Sequence, residues 1–246
     1  MIGIYNQLVS HLFCSPFSSM TLRKPELVLF DLDGTLVDSS PDLAYSADCM
    51  LERLGMPRHG EARIRNWIGN GIERLVKRTL TGEMHAEPEP ELFQRAMPIF
   101  LEIYEQNACV LSRCYDGVTD SLSYLQENDY RTGCVTNKAA RFTNILLQAL
   151  GIYDDFDIVI AGDTLAKKKP DPLQLLHAAE HFNVSPEHSL MVGDSINDVE
   201  AARAAGFQIL CVSYGYNLGR DIREANPDAV VDRLSELPRL LDAISA

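Results

Sequence analysis

The sequence contains no long apolar run. None of its segments approaches the roughly 18 uninterrupted apolar residues that a membrane-spanning helix requires. The first 14 residues are moderately apolar, but they lack a basic stretch and polar residues interrupt them, so they make a poor secretory signal. Met20 stands just before the first convincing element. We therefore interpret residues 1–20 as a leader, either disordered or the result of a mis-called start, and we expect a cytoplasmic protein without a membrane partner.

Paired cysteines are also missing. The six cysteines are scattered along the chain, with no CxxC pair and no spacing typical of a zinc site. Cys134 and Cys211 lie in apolar runs, where a free thiol usually behaves as a small hydrophobic side chain. This distribution favours a reducing compartment and argues against a disulfide framework.

Positive charge is scarce, because 22 Lys and Arg stand against 35 Asp and Glu and give a formal net charge of −13. Such a chain repels nucleic acid and anionic membranes, and no run of Lys and Arg is long enough to offset the repulsion. With 246 residues, 46% of them hydrophobic, the chain can bury a full core. We expect an enzyme or binding protein with a small-molecule partner and no nucleic-acid partner; the composition indicates no oligomeric state. An anionic substrate is compatible with this charge, because a local cation inverts the field inside a pocket.

From residue 26 onward, apolar runs alternate with helical patterns. The runs have the length and composition of fully buried strands, and they cover residues 27–30, 133–136, 157–161, 190–192, 209–212 and 229–231. The helical patterns between and after them cover residues 118–128, 139–150, 172–182, 196–205 and 234–243. This alternation predicts an α/β fold, with a Rossmann-like parallel sheet core covered by helices on both faces.

Residues 40–115 interrupt this alternation with helical patterns alone, near 41–55, 61–80 and 89–107. About 75 residues are too many for an ordinary crossover between two strands. We predict an inserted α-helical cap at residues 40–115 and an α/β core built from residues 21–39 and 116–246. An insert that leaves the carboxyl end of a strand lies over the ligand crevice of an open sheet, so the cap can act as a lid.

Two carboxylates, Asp31 and Asp33 of the segment DLDGT, directly follow the first strand. At a spacing of two residues they point to the same side, at the edge where open parallel sheets bind ligands. Carboxylates this close repel each other, so either one is protonated or a cation lies between them. A helix N-cap or an Asx-turn would explain a single aspartate after a strand; for the pair after an apolar run we favour a functional site.

Polar residues mark other strand ends and one loop. Thr136 and Asn137 follow the second run of the core, Asp194 and Asp198 belong to GDSIND after another, and Lys169 stands in a basic loop. Alone, each pattern has a common structural explanation, a helix cap or a solvated loop. In a parallel sheet, however, these residues converge on one crevice. Carboxylate oxygens suit Mg²⁺, a lysine and a hydroxyl neutralise phosphoryl oxygens, and a carboxylate can act as a nucleophile, so the set predicts phosphoryl transfer.

Four ordered motifs resemble those of the haloacid dehalogenase superfamily, namely DLDGT (31–35), VTN (135–137), Lys169 before a proline, and GDSIND (193–198). The resemblance covers nearly all of residues 26–235. It implies that Asp31 is the nucleophile. It also implies that Asp33 protonates the leaving alcohol and then activates water.

The same resemblance implies the remaining roles at the site. Thr136 and Asn137 would hold the transferring phosphoryl group, and Lys169 would pair with it. The implied ligands of Mg²⁺ are Asp31, the main-chain carbonyl of Asp33 and Asp194, with Asp198 in support.

Asp33 separates subclasses within this superfamily. Its dehalogenases lack the second aspartate, because a halide leaving group needs no proton. The similar phosphonatases use a small residue there together with a lysine of the cap. Since neither pattern fits this sequence, a phosphoester with a poor leaving group is favoured.

Three further segments resemble the bacterial phosphoglycolate phosphatase family, namely WIGNGIERLVKRTL (67–80), KKKPDPLQLL (167–176) and SYGYN (213–217). This resemblance implies hydrolysis of 2-phosphoglycolate to glycolate and phosphate through an aspartyl-phosphate. By analogy the IGNG turn and Arg74 would face the substrate carboxylate, although Arg74 is also explained as a solvated helix residue. Two rival functions remain open: a β-phosphoglucomutase-like sugar phosphate mutase, and a non-catalytic magnesium- or phosphate-binding regulator, against which the Asp31 and Asp33 pair argues.

Overall fold

The computed structural model describes residues 22–245, so the leader expected at residues 1–20 lies outside the described residues. Within residues 22–245 the strands are β1 (Leu27–Phe30), β2 (Val37–Asp38), β3 (Arg113–Cys114), β4 (Arg131–Val135), β5 (Ile158–Ile160), β6 (Ser189–Gly193), β7 (Gln208–Val212) and β8 (Ala229–Val231). The α-helices of the same residues are α1 (Ser40–Arg53), α2 (Glu61–Ile64), α3 (Ile72–Thr81), α4 (Pro90–Asn107), α5 (Val118–Glu127), α6 (Ala140–Ala149), α7 (Leu173–Phe182), α8 (Ile196–Ala205) and α9 (Leu237–Ser245).

One parallel sheet, in the order β5-β4-β1-β6-β7-β8, forms the core. The side chains of its central strand β1 alternate between two hydrophobic clusters, because successive residues of a strand point to opposite faces. Leu27 and Leu29 pack into one cluster, and Val28 and Phe30 into the other. Helices therefore cover both faces of the sheet, which confirms the predicted α/β fold class and all six predicted core strands.

The segment between β2 and β3 carries α1 to α4 and has a hydrophobic cluster of its own. Met50, Phe100 and Tyr104 are fully buried in it. Phe142 of α6 and Tyr216 from the loop after β7 belong to the same cluster, so the cap helices pack against the core. At the base of this segment β2 and β3 pair antiparallel. The sequence does not reveal these strands, because two residues are too few to show a periodic pattern.

The second cap helix, predicted as one helix over residues 61–80, is not continuous, so this prediction is wrong. The structure breaks it into α2, a 3₁₀ turn at Arg65–Trp67 and α3. The break falls at Gly69 and Gly71, whose φ angles of 121° and 87° lie in the left-handed region that glycine alone adopts freely. The helical periodicity on either side is real, but these two glycines convert its middle into a turn.

No helix within residues 22–245 is long and apolar enough to cross a membrane. This finding agrees with the absence of a long apolar run in the sequence.

Asp42 of α1 holds the segment that leads from the cap back to the core. Its carboxylate accepts the backbone N–H groups of Val110 at 3.0 Å, Leu111 at 2.9 Å and Ser112 at 2.8 Å. The hydroxyl of Ser112 donates to the same carboxylate at 2.6 Å. Asp42 and Ser112 are both buried, so water cannot readily replace the carboxylate as the acceptor for the two donors of Ser112.

We expect Asp42→Ala to lower the free energy of unfolding by roughly 3 kcal/mol, because it removes four hydrogen bonds and leaves the buried N–H and hydroxyl groups of Ser112 without an acceptor. Urea denaturation followed by circular dichroism measures the effect. The matched control is Glu127→Ala, which removes an exposed carboxylate and should change the stability by less than about 0.5 kcal/mol. Equal stabilities of the two variants would contradict the role given to Asp42.

Candidate active site

Three neighbouring strands end in polar residues at the same edge of the sheet. Phe30 of β1 is in register with Cys134 of β4 on one side and with Val192 of β6 on the other. Asp31 follows β1 and Asp194 follows β6, so the topology brings the two carboxylates together although they are far apart in the chain. Thr136, directly after β4, reaches the edge from the other side.

A cluster of three carboxylates forms where β1, β6 and the first turn of α8 meet. Asp31, Asp194 and Asp198 each offer one oxygen atom, and these atoms lie within 4.8 Å of one another. The backbone crowds this cluster closely: a Cβ atom added to Gly34 would lie 2.5 Å from an oxygen of Asp194. Gly34 also has a φ of 92°, so the turn after β1 requires glycine on both counts.

Neighbouring donors orient Asp194 and Asp198. The hydroxyl of Thr35 donates to one oxygen of Asp194 at 3.0 Å, and the backbone N–H of Tyr216 to the other at 2.7 Å. Thr35 therefore helps to orient a carboxylate of the cluster. One oxygen of Asp198 accepts the hydroxyl and backbone N–H of Ser195, in a capping box that begins α8.

Lys169 is the cation that contacts this cluster. Its Nζ atom lies 2.8 Å from Asp31 and 2.7 Å from Asp198, and it donates to the carbonyl of Val135 at 2.7 Å. Burial alone would lower the pKa of Lys169, but the two carboxylates raise it, so the side chain is a fixed positive charge.

The carboxylates still outnumber the positive charge beside them. Burial raises the pKa of Asp31 to about 7 in spite of Lys169, with further contributions from the charges of Asp198 and Asp33. Burial and the charges of Asp31 and Asp198 raise the pKa of Asp194 to about 8. Closely spaced oxygen donors with raised pKa values fit a divalent cation, which would supply the missing positive charge.

Asp33 faces a different environment from that of the cluster. The hydroxyl of Ser39 donates to one of its oxygens at 2.5 Å. The ammonium group of Lys138 lies 2.9 Å from that oxygen and 3.2 Å from the other. Two donors, Ser39 and Lys138, therefore hold Asp33 apart from the cluster of three carboxylates.

A cavity of about 430 Å³ lies between Asp31 and Asp33 on one side and the cap on the other. Core residues Thr136, Asn137 and Lys138 line it on one side, and the cap lines it with Leu43, Ile68, Gly69, Gly71, Ile72 and Leu75. The side-chain amide of Asn137 donates to the carbonyl of Gly69 at 3.1 Å and to that of Lys169 at 2.9 Å. This amide therefore fastens the glycine turn of the cap to the core.

Arg74 is not brought to this cavity. It lies on α3 between Ile72 and Leu75, which line the cavity, but its own side chain does not line it, and its guanidinium forms an ion pair with Glu87 of the cap. The expectation that Arg74 faces the substrate carboxylate is therefore corrected. The physical reason is a partner within the cap, 13 residues further along the chain, that the helical pattern did not reveal.

Two residues that contact Asp33 were missed as candidates from the sequence. Lys138 follows Thr136 at a spacing of two, so the same alternation that placed Asp33 beside Asp31 could have placed it at the site. Ser39 carries no comparable signal, because its contact with Asp33 depends on the turn that leads into α1.

The four motifs and this geometry can be compared with known proteins. The model of the haloacid dehalogenase-like hydrolase family matches residues 28–212. The chain belongs to the haloacid dehalogenase-like hydrolases. A phosphoglycolate phosphatase from Nitrosococcus oceani is 57% identical over 220 residues, which cover 89% of this hydrolase and 98% of that protein. A second one, from Nitrosospira multiformis, is 50% identical over 89% of this chain and 96% of its own.

A solved structure agrees with these relatives. The crystal structure of a predicted phosphoglycolate phosphatase from Haemophilus somnus superposes with a TM-score of 0.83 at 34% identity, over 90% of this hydrolase and 99% of that chain. The expectation of a phosphoric monoester hydrolase is thereby confirmed. Hydrolases of this family use a divalent metal, and the carboxylate cluster fits one.

The raised pKa values predict a pH-dependent effect of metal. Without a cation, the folded protein holds protons on Asp31 and Asp194 more tightly than the unfolded chain, so these groups destabilise it increasingly as the pH rises from about 4 to 8. A divalent cation relieves this destabilisation in place of the protons. The gain in melting temperature on adding MgCl₂ to the chelated protein should therefore be larger at pH 8 than at pH 6.

Thermal melting by differential scanning fluorimetry measures this gain. Asp194→Asn should lose most of it, whereas Glu127→Gln, at an exposed position, should keep it. The same gain at both pH values, or an unchanged gain in Asp194→Asn, would show that the cation binds elsewhere.

Proposed function

We propose that this hydrolase converts 2-phosphoglycolate to glycolate and phosphate, with Mg²⁺ as its metal and an aspartyl-phosphate on Asp31 as the intermediate. We also propose that it acts in the cytoplasm, on a small phosphate ester, without a nucleic-acid partner. The net charge of −13 supports the last point.

The meeting of Asp31 and Asp33 at one cavity is the observation that best supports this proposal. The cap side of the cavity is mostly aliphatic and offers few polar partners to the hydroxyl groups of a sugar, which favours a compact leaving group over a sugar phosphate. The relatives of 57% and 50% identity, both phosphoglycolate phosphatases, support the choice of substrate.

In the first step, a carboxylate oxygen of Asp31 attacks phosphorus and forms the aspartyl-phosphate. Lys169, 2.8 Å from this carboxylate, orients the nucleophile and neutralises charge on the phosphoryl oxygens. The hydroxyl of Thr136 and the main-chain N–H of Asn137 hold the same oxygens, since the side-chain amide of Asn137 is already engaged. This covalent route divides one difficult displacement into two easier ones.

Asp33 transfers the protons in both steps. As an acid it protonates the ester oxygen of the departing glycolate, and as a base it then takes a proton from the water that hydrolyses the aspartyl-phosphate. The hydrogen bond from Ser39 fixes the direction in which the Asp33 carboxyl group points.

Asp31, the main-chain carbonyl of Asp33 and Asp194 are the residues that would hold Mg²⁺. When bound, the ion neutralises charge at the nucleophile and on the phosphoryl group. Asp198 supports the site indirectly, because its oxygens are occupied by Lys169 and by the donors of the α8 capping box.

Phosphate release from 2-phosphoglycolate tests the proposal directly. We expect turnover with Mg²⁺, much weaker turnover with Ca²⁺, whose longer and looser coordination misplaces the nucleophile, and none after exhaustive chelation. Asp31→Asn, checked for reversion by deamidation, should retain less than about 1% of the activity because an amide cannot attack phosphorus. A requirement for a sugar bisphosphate activator, or full activity of the chelated enzyme, would refute the assignment.

Asp33→Asn separates proton transfer from the nucleophilic step. The rate with 2-phosphoglycolate should fall by about 10²- to 10⁴-fold, since its alkoxide leaving group needs the proton. The loss should be much smaller with p-nitrophenyl phosphate, whose phenolate leaves without one. Steady-state kinetics on both esters gives the comparison, and equal losses would mean that Asp33 has only a structural role.

A further inference from the structure

Lys138 is a buried cation at the cavity that the mechanism above does not use. Only 4% of its surface is exposed, and its ammonium group contacts both carboxylate oxygens of Asp33. The ring of Tyr104 from the cap lies over the same group, with Nζ 5.2 Å from the ring centroid. Core and cap thus both hold this charge in place.

The position of Lys138 relative to Asp33 determines what it can reach in a substrate complex. The ester oxygen of a bound substrate has to lie at the carboxyl group of Asp33 in order to receive its proton. In 2-phosphoglycolate the carboxyl carbon is bonded to the carbon that carries this oxygen. The substrate carboxylate therefore lies close to any group that contacts Asp33. Lys138 contacts both carboxylate oxygens of Asp33.

The rest of the cavity offers a carboxylate little else. Among the cavity-lining residues in the described part of the chain, Lys138 is the one cationic side chain. The cap contributes aliphatic side chains such as Leu43 and Ile72, against which an unpaired carboxylate would be costly to bury. Both hydrogens of the Asn137 amide are already donated to carbonyl groups.

Two other cations nearby have partners elsewhere. Arg74 is paired with Glu87 in the cap. Lys168, in an exposed loop, donates from Nζ to the carbonyl of Asn70 at 3.2 Å. Lys168 also approaches the glycine turn, since a Cβ atom added to Gly71 would lie 2.8 Å from its Nζ, so it is the rival candidate for an anion at the cavity edge.

We propose that Lys138 binds the carboxylate of the substrate and thereby makes the enzyme selective for phosphate esters of short hydroxy acids. This inference rests on the proposed function and assigns the specificity to the loop after β4 in the core rather than to Arg74 of the cap. A phosphate ester of the same size that lacks the carboxylate would not form this ion pair. The ammonium group has three N–H donors, so it can bind the incoming carboxylate while still contacting Asp33.

The test compares 2-phosphoglycolate with ethyl phosphate, which replaces the carboxylate by a methyl group and keeps an alkoxide leaving group. For each enzyme, kcat/KM is measured with both esters on the same preparation. Their ratio isolates the carboxylate and does not depend on the folded fraction of a variant. Lys138→Met should lower this ratio by about 10- to 100-fold, the range of a lost hydrogen bond to a charged group.

Arg74→Met and Lys168→Met are the matched controls, and both should keep the ratio of the wild type. A parallel loss with both esters in Lys138→Met would overturn the inference, because Lys138 would then act only on Asp33. A ratio that collapses in Lys168→Met instead would also overturn it. A wild-type enzyme without preference for 2-phosphoglycolate would refute the proposed substrate, whereas a preference that survives in Lys138→Met would refute only the role of Lys138.

A binding measurement covers the case in which Lys138→Met turns over neither ester. Isothermal titration of both esters into Asp31→Asn and into Asp31→Asn with Lys138→Met compares affinities without chemistry. The added Lys138→Met change should weaken 2-phosphoglycolate by at least about 10-fold relative to ethyl phosphate. Equal weakening of the two esters would overturn the inference.

Discussion

At the carboxyl edge of the sheet, the negative charges of the carboxylates outnumber the positive charges beside them. The rest of the site depends on this imbalance. Three of them approach within 4.8 Å, and Lys169 forms ion pairs with two. An anionic phosphoryl group can enter such a place only when further positive charge accompanies it. Both oxygens of Asp194 and one oxygen of Asp198 accept hydrogen bonds from neutral donors, which orient these oxygens without neutralising their charge.

The fold and the core of the site were predictable from the sequence because both follow from patterns that are local in the chain. Apolar runs of strand length located the parallel strands, and the topology of a parallel sheet places the residues after them at one edge. Asp31 stands directly after such a run, Thr136 at the end of one and Asp194 two residues after one, so their convergence required no knowledge of side-chain contacts. All four motifs lie within residues 28–212, which the model of the haloacid dehalogenase-like hydrolase family matches.

The features that were not predictable depend on contacts between distant segments. Periodicity continued through Gly69 and Gly71 and did not reveal that both adopt positive φ angles. Nothing in the pattern of α3 indicated that Arg74 has a partner in Glu87. In the sequence, Lys138 is one residue of a loop after a strand. Its importance depends on its contacts with Asp33 and Tyr104, which only the structure shows.

The position of β1 in the sheet has a consequence for the synthesis of the protein. This first strand of the core pairs with β4 and β6, and its neighbour Thr35 bonds to Asp194, 159 residues further along the chain. The cap helices, in contrast, contact one another within a short stretch of sequence and can form early. On the ribosome Asp31 therefore lies at the end of an incomplete sheet until β6 has emerged. An N-terminal fragment that ends before Asp194 contains Asp31 without the other two carboxylates of the cluster.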